Sequence, residues 1–232
     1  MGTGFERKLV AEFVGTFALI FMGAGSIIVF GGGQADIVAI ALAHGLAIAL
    51  MVSALGHVSG GVFNPAVAIG LWATRRLDTV TTIAYIAAQL VGAAAAAFAL
   101  KSLFPDALGE AANWGTPLLS SETDFTQGVL IEAILTFFLM TAIFGTALDD
   151  RGPKLGGFGI GLIITMDILA GGPLTGAAMN PARTFGPALA NGIWDDHLVY
   201  WIGPIIGAVV AALLYHYLFL DREAEAAAAK AS

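Results

Sequence analysis

One tripeptide occurs twice in this chain, at Asn64-Pro65-Ala66 and at Asn180-Pro181-Ala182. Asn is a favoured N-cap, Pro a favoured first helical residue, and Ala the best helix former, so each copy marks a helix start. Each start follows a hydrophobic span and opens a short apolar run, in GHVSGGVFNPAVAIGL (56–71) and GGPLTGAAMNPARTFGPAL (171–189). A helix N-terminus carries about half a positive charge. Two of them brought together within a membrane would repel cations, which points to a pore. Arg183 follows the second copy in an apolar setting, where a charge is costly and marks a functional site by default. Glu12 and Glu132 are carboxylates inside apolar spans. They could relay protons, as in a pump, or hold loose backbone in place. His57, His197 and His216 show no metal-ligand spacing, and no nucleophile–base pair or phosphate loop is present. The pattern argues against an enzyme, a cofactor, a metal centre or a nucleic-acid partner.

Such helix starts need a membrane around them, and the composition supplies one. The 232 residues are 58% hydrophobic and 12% charged, about half the charge of a soluble domain. Mean hydropathy is +0.85. A membrane-crossing helix takes about 20 apolar residues. Six spans are predicted, at 9–30, 37–55, 81–104, 128–148, 156–170 and 198–220, and the fifth is short. The first begins too near the N-terminus, and is too long, for a typical signal peptide. There is no Cys, so no disulfide can form, and net charge is −7. With both termini inside, Arg7, Lys8, Arg75, Arg76, Arg151, Lys154, Arg222 and Lys230 fall on the cytoplasmic side against Lys101 and Arg183 elsewhere. That bias follows the positive-inside rule.

The chain also repeats itself. EFVGTFALIF (12–21) matches EAILTFFLMT (132–141), and YIAAQLVGAAAAA (85–97) matches YWIGPIIGAVVAA (200–212). Each half reads span, span, half-helix, span. An odd number of spans per half inverts one half relative to the other, and the functional site is expected near the midplane between them. One channel domain is expected over 1–232, with inverted repeats at about 5–104 and 125–220, an outer-surface linker at 105–127 and a cytoplasmic tail at 221–232. A half-helix over 65–72 is about 12 Å long, so two end to end cover most of the roughly 30 Å hydrocarbon core. Gly60-Gly61 and Gly171-Gly172 suit the irregular backbone before each Asn.

Two such boxes in this framework resemble the aquaporin family of major intrinsic proteins over almost the whole chain. The resemblance implies an all-α membrane protein with six transmembrane helices and two reentrant half-helices in an inverted repeat. It implies that Asn64 and Asn180 donate amide hydrogens to passing water, and that the carbonyls of Gly61, Val62, Ala177, Ala178 and Met179 accept from it. Many relatives have His where this chain has Val62. By family spacing, His44, Ile168 and Ala177 join Arg183 in an outer aromatic/arginine selectivity filter. The alternative for His44 is an interior histidine packed between helices. Glu12, Glu132 and Gln89 are implied to hold the reentrant backbone. Asp167 adjoins Ile168 and either caps backbone or lines the vestibule.

Glycerol facilitators of the family resemble one another in having Trp at the His44 position, and Asp and Lys where this chain has Thr184 and Ala188. The filter set here is similar to that of plant vacuolar aquaporins, several of which pass ammonia or other small neutral solutes. The implied function is a passive water channel that excludes protons and ions, with ammonia open as a second permeant. A glycerol or small-solute facilitator and an ion-coupled transporter stand as alternatives. The resemblance further implies a homotetramer in the lipid bilayer. The short chain without targeting features points to a prokaryotic plasma membrane.

Overall fold

A computed structural model of the protein describes residues 4–31, 36–153 and 155–220. The predicted tail at 221–232, together with Lys154, Arg222 and Lys230, lies outside the described residues. The regular elements among the described residues are all helices, in the order α1 (Gly4–Phe30), α2 (Ile37–Ser59), α3 (Pro65–Ala73), α4 (Thr79–Leu103), the short α5 (Asp106–Ala111), α6 (Phe125–Ile143), α7 (Gly157–Thr175), α8 (Pro181–Asn191) and α9 (Val199–Leu214). Wider π-helical turns extend α6 through Leu148 and α9 through Phe219. Among the described residues six helices are long and apolar enough to cross a membrane, all but α3, α5 and α8.

Local chemistry explains where these helices begin. Asp36, Asp78 and Asp124 accept from Ala39, Thr81 and Gln127 backbone N–H groups at the starts of α2, α4 and α6. Gln127 returns the bond to the Asp124 N–H, which completes a capping box. The two short helices start on Asn64 and Asn180, each followed by Pro at the first helical position.

Small residues then set the packing. A methyl placed on Gly92 would stand 2.5 Å from the Phe13 carbonyl oxygen, and one on Gly203 would stand 2.7 Å from the Val129 oxygen. So α1 approaches α4, and α6 approaches α9, at backbone contact, as small residues permit inside a bilayer. The short helices cross between halves: α3 packs on α9, and α8 packs on α4. Each half thereby encloses the other's reentrant segment. This is the all-helical inverted-repeat architecture expected from the two boxes.

Three local expectations change. The fifth span runs through Thr175 instead of stopping at 170, because Gly171, Gly172 and Pro173 stay helical. A methyl on Gly171 would stand 2.5 Å from Leu135 Cδ1, so Gly171 serves close packing on α6 rather than loop freedom. Irregular backbone begins at Gly176, with φ +80°. The linker is also more than an outer-surface loop. It folds as α5 and a 3-10 turn over Asn113–Gly115, and Gly115 presses on Ala24 of α1.

Candidate functional site

The two reentrant segments are built alike. Before Asn64, Gly60, Gly61 and Phe63 have φ of +95°, +64° and +48°; before Asn180, Gly176, Ala177 and Met179 have +80°, +45° and +52°. Left-handed backbone costs a non-glycine residue roughly 1–2 kcal/mol, so Phe63, Ala177 and Met179 need support. Glu12 gives it in the first segment, accepting from Val62 N at 3.1 Å, Phe63 N at 2.7 Å and the Ser59 hydroxyl at 2.6 Å. Glu132 gives it in the second, accepting from Ala178 N at 2.9 Å, Met179 N at 2.7 Å and the Thr175 hydroxyl at 2.7 Å. Both carboxylates are fully buried. Tyr85 and Tyr200 complete the parallel by donating their hydroxyls to the Ser59 and Thr175 carbonyls, each at 2.8 Å.

The parallel breaks in one place. Gln89 Nε2 donates to Glu12 at 2.7 Å, whereas the matching position in the second half is Pro204. Ser59, Thr175 and Tyr85 were not singled out from sequence, and Tyr200 stood out only with Trp201, as a pair similar to that of water channels in the family. The signal was available for the hydroxyls, since both stand five residues before the Asn and are followed by Gly.

At the centre, each Asn caps its own helix and bonds to the other segment. The Asn64 side-chain oxygen accepts from Ala66 N at 2.9 Å, while Nδ2 donates to the Met179 carbonyl at 2.8 Å. The Asn180 oxygen accepts from Ala182 N and Arg183 N at 3.0 and 3.3 Å, while Nδ2 donates to the Phe63 carbonyl at 2.9 Å. One amide hydrogen of each Asn is used in this way, and the amide carries two. The Met179 carbonyl, which the resemblance implies accepts from passing water, accepts here from Asn64. The Phe63 carbonyl has the matching role and was missed.

A cavity of about 290 Å³ runs along this centre. His44, Ile168, Ala177 and Arg183 line it together with Asn64 and Asn180, and so do Arg76, Leu77 and Leu148. Gly61, Val62, Ala178 and Met179 also reach it, whereas Asp167 does not. Asp167 is buried and its Oδ2 has no partner among the described residues.

Arg183 is 2% exposed, and among the described residues no carboxylate lies within 4 Å of it. Its Nε donates to His44 Nε2 at 3.2 Å and its Nη1 to the Gly115 carbonyl at 2.9 Å. Since Arg can only donate, His44 Nε2 must be an acceptor. The proton then sits on Nδ1, which donates to the Ile40 carbonyl at 2.8 Å. Both imidazole nitrogens are thus engaged, and among the described residues Nη2 is the Arg183 nitrogen left without a hydrogen-bond partner. Gly115 was also missed, because a carbonyl in a linker carries no side-chain signal.

Comparison with known proteins bears on this geometry. Residues 2–215 match the family model for major intrinsic proteins. The chain is 45% identical to aquaporin TIP4-4 of Zea mays, over 94% of this chain and 88% of that protein. It is 40% identical to aquaporin AqpM of Methanothermobacter marburgensis, over 91% and 97%. Among solved structures it resembles the aquaglyceroporin from Plasmodium falciparum, with a TM-score of 0.81 at 26% identity, covering 92% of this chain and 96% of that one.

Proposed function

This chain belongs to the major intrinsic protein family, whose members are channels rather than enzymes, and on that premise we propose that it is a passive water channel that excludes protons and ions. The observation that carries this reading is the central pair of caps. Asn64 and Asn180 hold the N-termini of α3 and α8 against one cavity, and each is fixed to the opposite segment by its amide. Two positive helix ends and an Arg183 without a close carboxylate raise the energy of a cation along the path, while a neutral molecule crosses that field freely. The free amide hydrogens of the two Asn residues and the carbonyls before them offer a water file both donors and acceptors.

His44, Ile168, Ala177 and Arg183 form the selecting constriction in this reading. Ile168 gives an apolar wall, and His44 has no nitrogen to spare, so Arg183 supplies the polar contact. One polar wall facing an apolar one favours ammonia as a second permeant. In the same reading Glu12, Glu132 and Gln89 brace the reentrant backbone, the protein sits in a prokaryotic plasma membrane with both termini cytoplasmic, and four copies assemble with one path each.

The test is flux in proteoliposomes under an osmotic or solute gradient, with water, ammonia and glycerol in turn. Fast water shrinkage with glycerol excluded supports the reading. Glycerol uptake at a rate comparable to water would instead favour a facilitator, in line with the activity named for the Plasmodium neighbour.

A further inference from the structure

His44 does not stand freely beside Arg183; α1 seats it. A methyl built on Gly23 would lie 2.5 Å from His44 Cδ2, 2.5 Å from Nε2 and 3.0 Å from Cε1. Ordinary carbon contacts are about 3.5–4.0 Å, so the imidazole occupies the space that any side chain at position 23 would need. The next residue, Ala24, touches Gly115, where an added methyl would lie 2.7 Å from the Ala24 Cβ. One turn of α1 therefore backs both acceptors of Arg183, the His44 ring through Gly23 and the Gly115 carbonyl through Ala24.

We propose that Gly23 is a specificity-determining positioning residue, which acts through His44 by giving the imidazole a recess in α1 from which it holds Arg183. The ring has little freedom to yield. Nδ1 is bonded to Ile40 on its own helix, Nε2 is bonded to Arg183, and the remaining side is the cavity it lines. A methyl at position 23 pushes the ring off its Arg183 bond and into the passage. Arg183 then keeps Gly115 as its acceptor and regains the freedom to swing. The size and polarity of the constriction are thus set from outside the four residues that line it. This inference rests on the reading of His44 and Arg183 as the selecting constriction.

Four proteins decide it: the natural chain, Gly23→Ala, His44→Ala and Gly23→Ala/His44→Ala, reconstituted in equal amounts with helicity checked by circular dichroism. Gly23→Ala is expected to lower water permeability by about tenfold, the factor given by a barrier ~1.4 kcal/mol higher. The double variant is expected to recover to the level of His44→Ala, because the added methyl then has no ring to displace. Gly23→Ala flux equal to that of the natural chain overturns the proposal. So does a double variant as slow as Gly23→Ala, since the methyl would then act on helix packing.

Imidazole 15N chemical shifts give a readout independent of transport. His44 of the natural chain should show the Nδ1–H tautomer with a hydrogen-bonded Nε2, and Gly23→Ala should lose that Nε2 signature. An unchanged spectrum overturns the proposal even if the natural chain conducts no water, which is the separate failure of the channel reading.

Discussion

Asn64 donates its side-chain amide to the carbonyl of Met179 at 2.8 Å, across 115 residues of sequence. Asn180 returns the bond to Phe63. Neither half can therefore shape its own reentrant segment alone, and the central caps are properties of the pair. A substitution at one Asn should disturb both helix starts.

Asn180→Ala removes the acceptor for two N–H groups of α8 and the donor to Phe63. Loss of a cap costs about 0.5–2 kcal/mol, and the released Phe63 carbonyl adds to that. The expected outcome is lower thermal stability together with a measurable proton leak in vesicles carrying a pH-sensitive dye. A variant as stable and as proton-tight as the natural chain would show that the amide bridge is dispensable.

Glu132→Gln separates a bracing carboxylate from a proton relay. The carboxylate accepts three hydrogen bonds, from Thr175, Ala178 and Met179, and an amide has one oxygen and turns two donors towards donors. Hydrogen bonds to a charged group are worth about 1.5–3 kcal/mol each, so the melting temperature should fall. Water flux, corrected for the amount of folded protein, should remain independent of a proton gradient. Gradient-driven, saturable solute uptake in the natural chain that Glu132→Gln abolishes would instead identify an ion-coupled transporter.

Much of this was legible in the sequence. The Asn-Pro-Ala boxes announce themselves because capping is local chemistry, and Glu12, Glu132 and Arg183 stand out because charge inside an apolar span needs a reason. Phe63 and Gly115 were not legible. They contribute backbone carbonyls, and every residue has one, so only the fold reveals which is used. Gly171 and Gly172 misled for a related reason: glycine marks a loop or a close helix contact with the same letter, and contact with Leu135 at Gly171 and with Ile37 at Gly172 decides for the second. Gly23 acts through a helix neighbour distant in sequence and leaves no local trace.

In the proposed reading His44 and Arg183 are partners in the selecting constriction, and removing both should widen it. Arg183→Val with His44→Ala deletes the guanidinium and the ring that line the cavity together. Uptake of glycerol and urea should appear where the natural chain shows little. Continued exclusion of both solutes would place the selecting constriction elsewhere.

Ala177 lines the cavity in left-handed backbone, and the chain contains no Cys. A thiol-directed mercurial should therefore leave water flux unchanged in the natural chain. Ala177→Cys should install a block that a reducing thiol reverses. A fully conducting, mercury-treated Ala177→Cys protein would remove Ala177 from the path.

The clasp after α6 gives a pH dependence outside the spans. Hydrogen bonding from the Arg151 side chain lowers the Asp149 carboxyl from an ordinary 3.8 to about 2. A depressed folded-state value means that its stabilisation is complete above about pH 4 and lost as the pH falls towards 2. The stability difference between the natural chain and Asp149→Asn should thus be constant from pH 5 to 8 and shrink below pH 4. A difference that persists at pH 2 would mean that the clasp does not depend on the charge of Asp149.

In the proposed function water crosses this protein and protons do not. Proteoliposomes loaded with a pH-sensitive dye can report both, by stopped-flow light scattering after an osmotic step and by dye fluorescence after a pH step. A proton-tight water channel gives shrinkage several times faster than in empty vesicles, with a proton leak no greater than theirs. Shrinkage no faster than in empty vesicles with folded protein present, or a proton current that rises with the amount of protein, would contradict it.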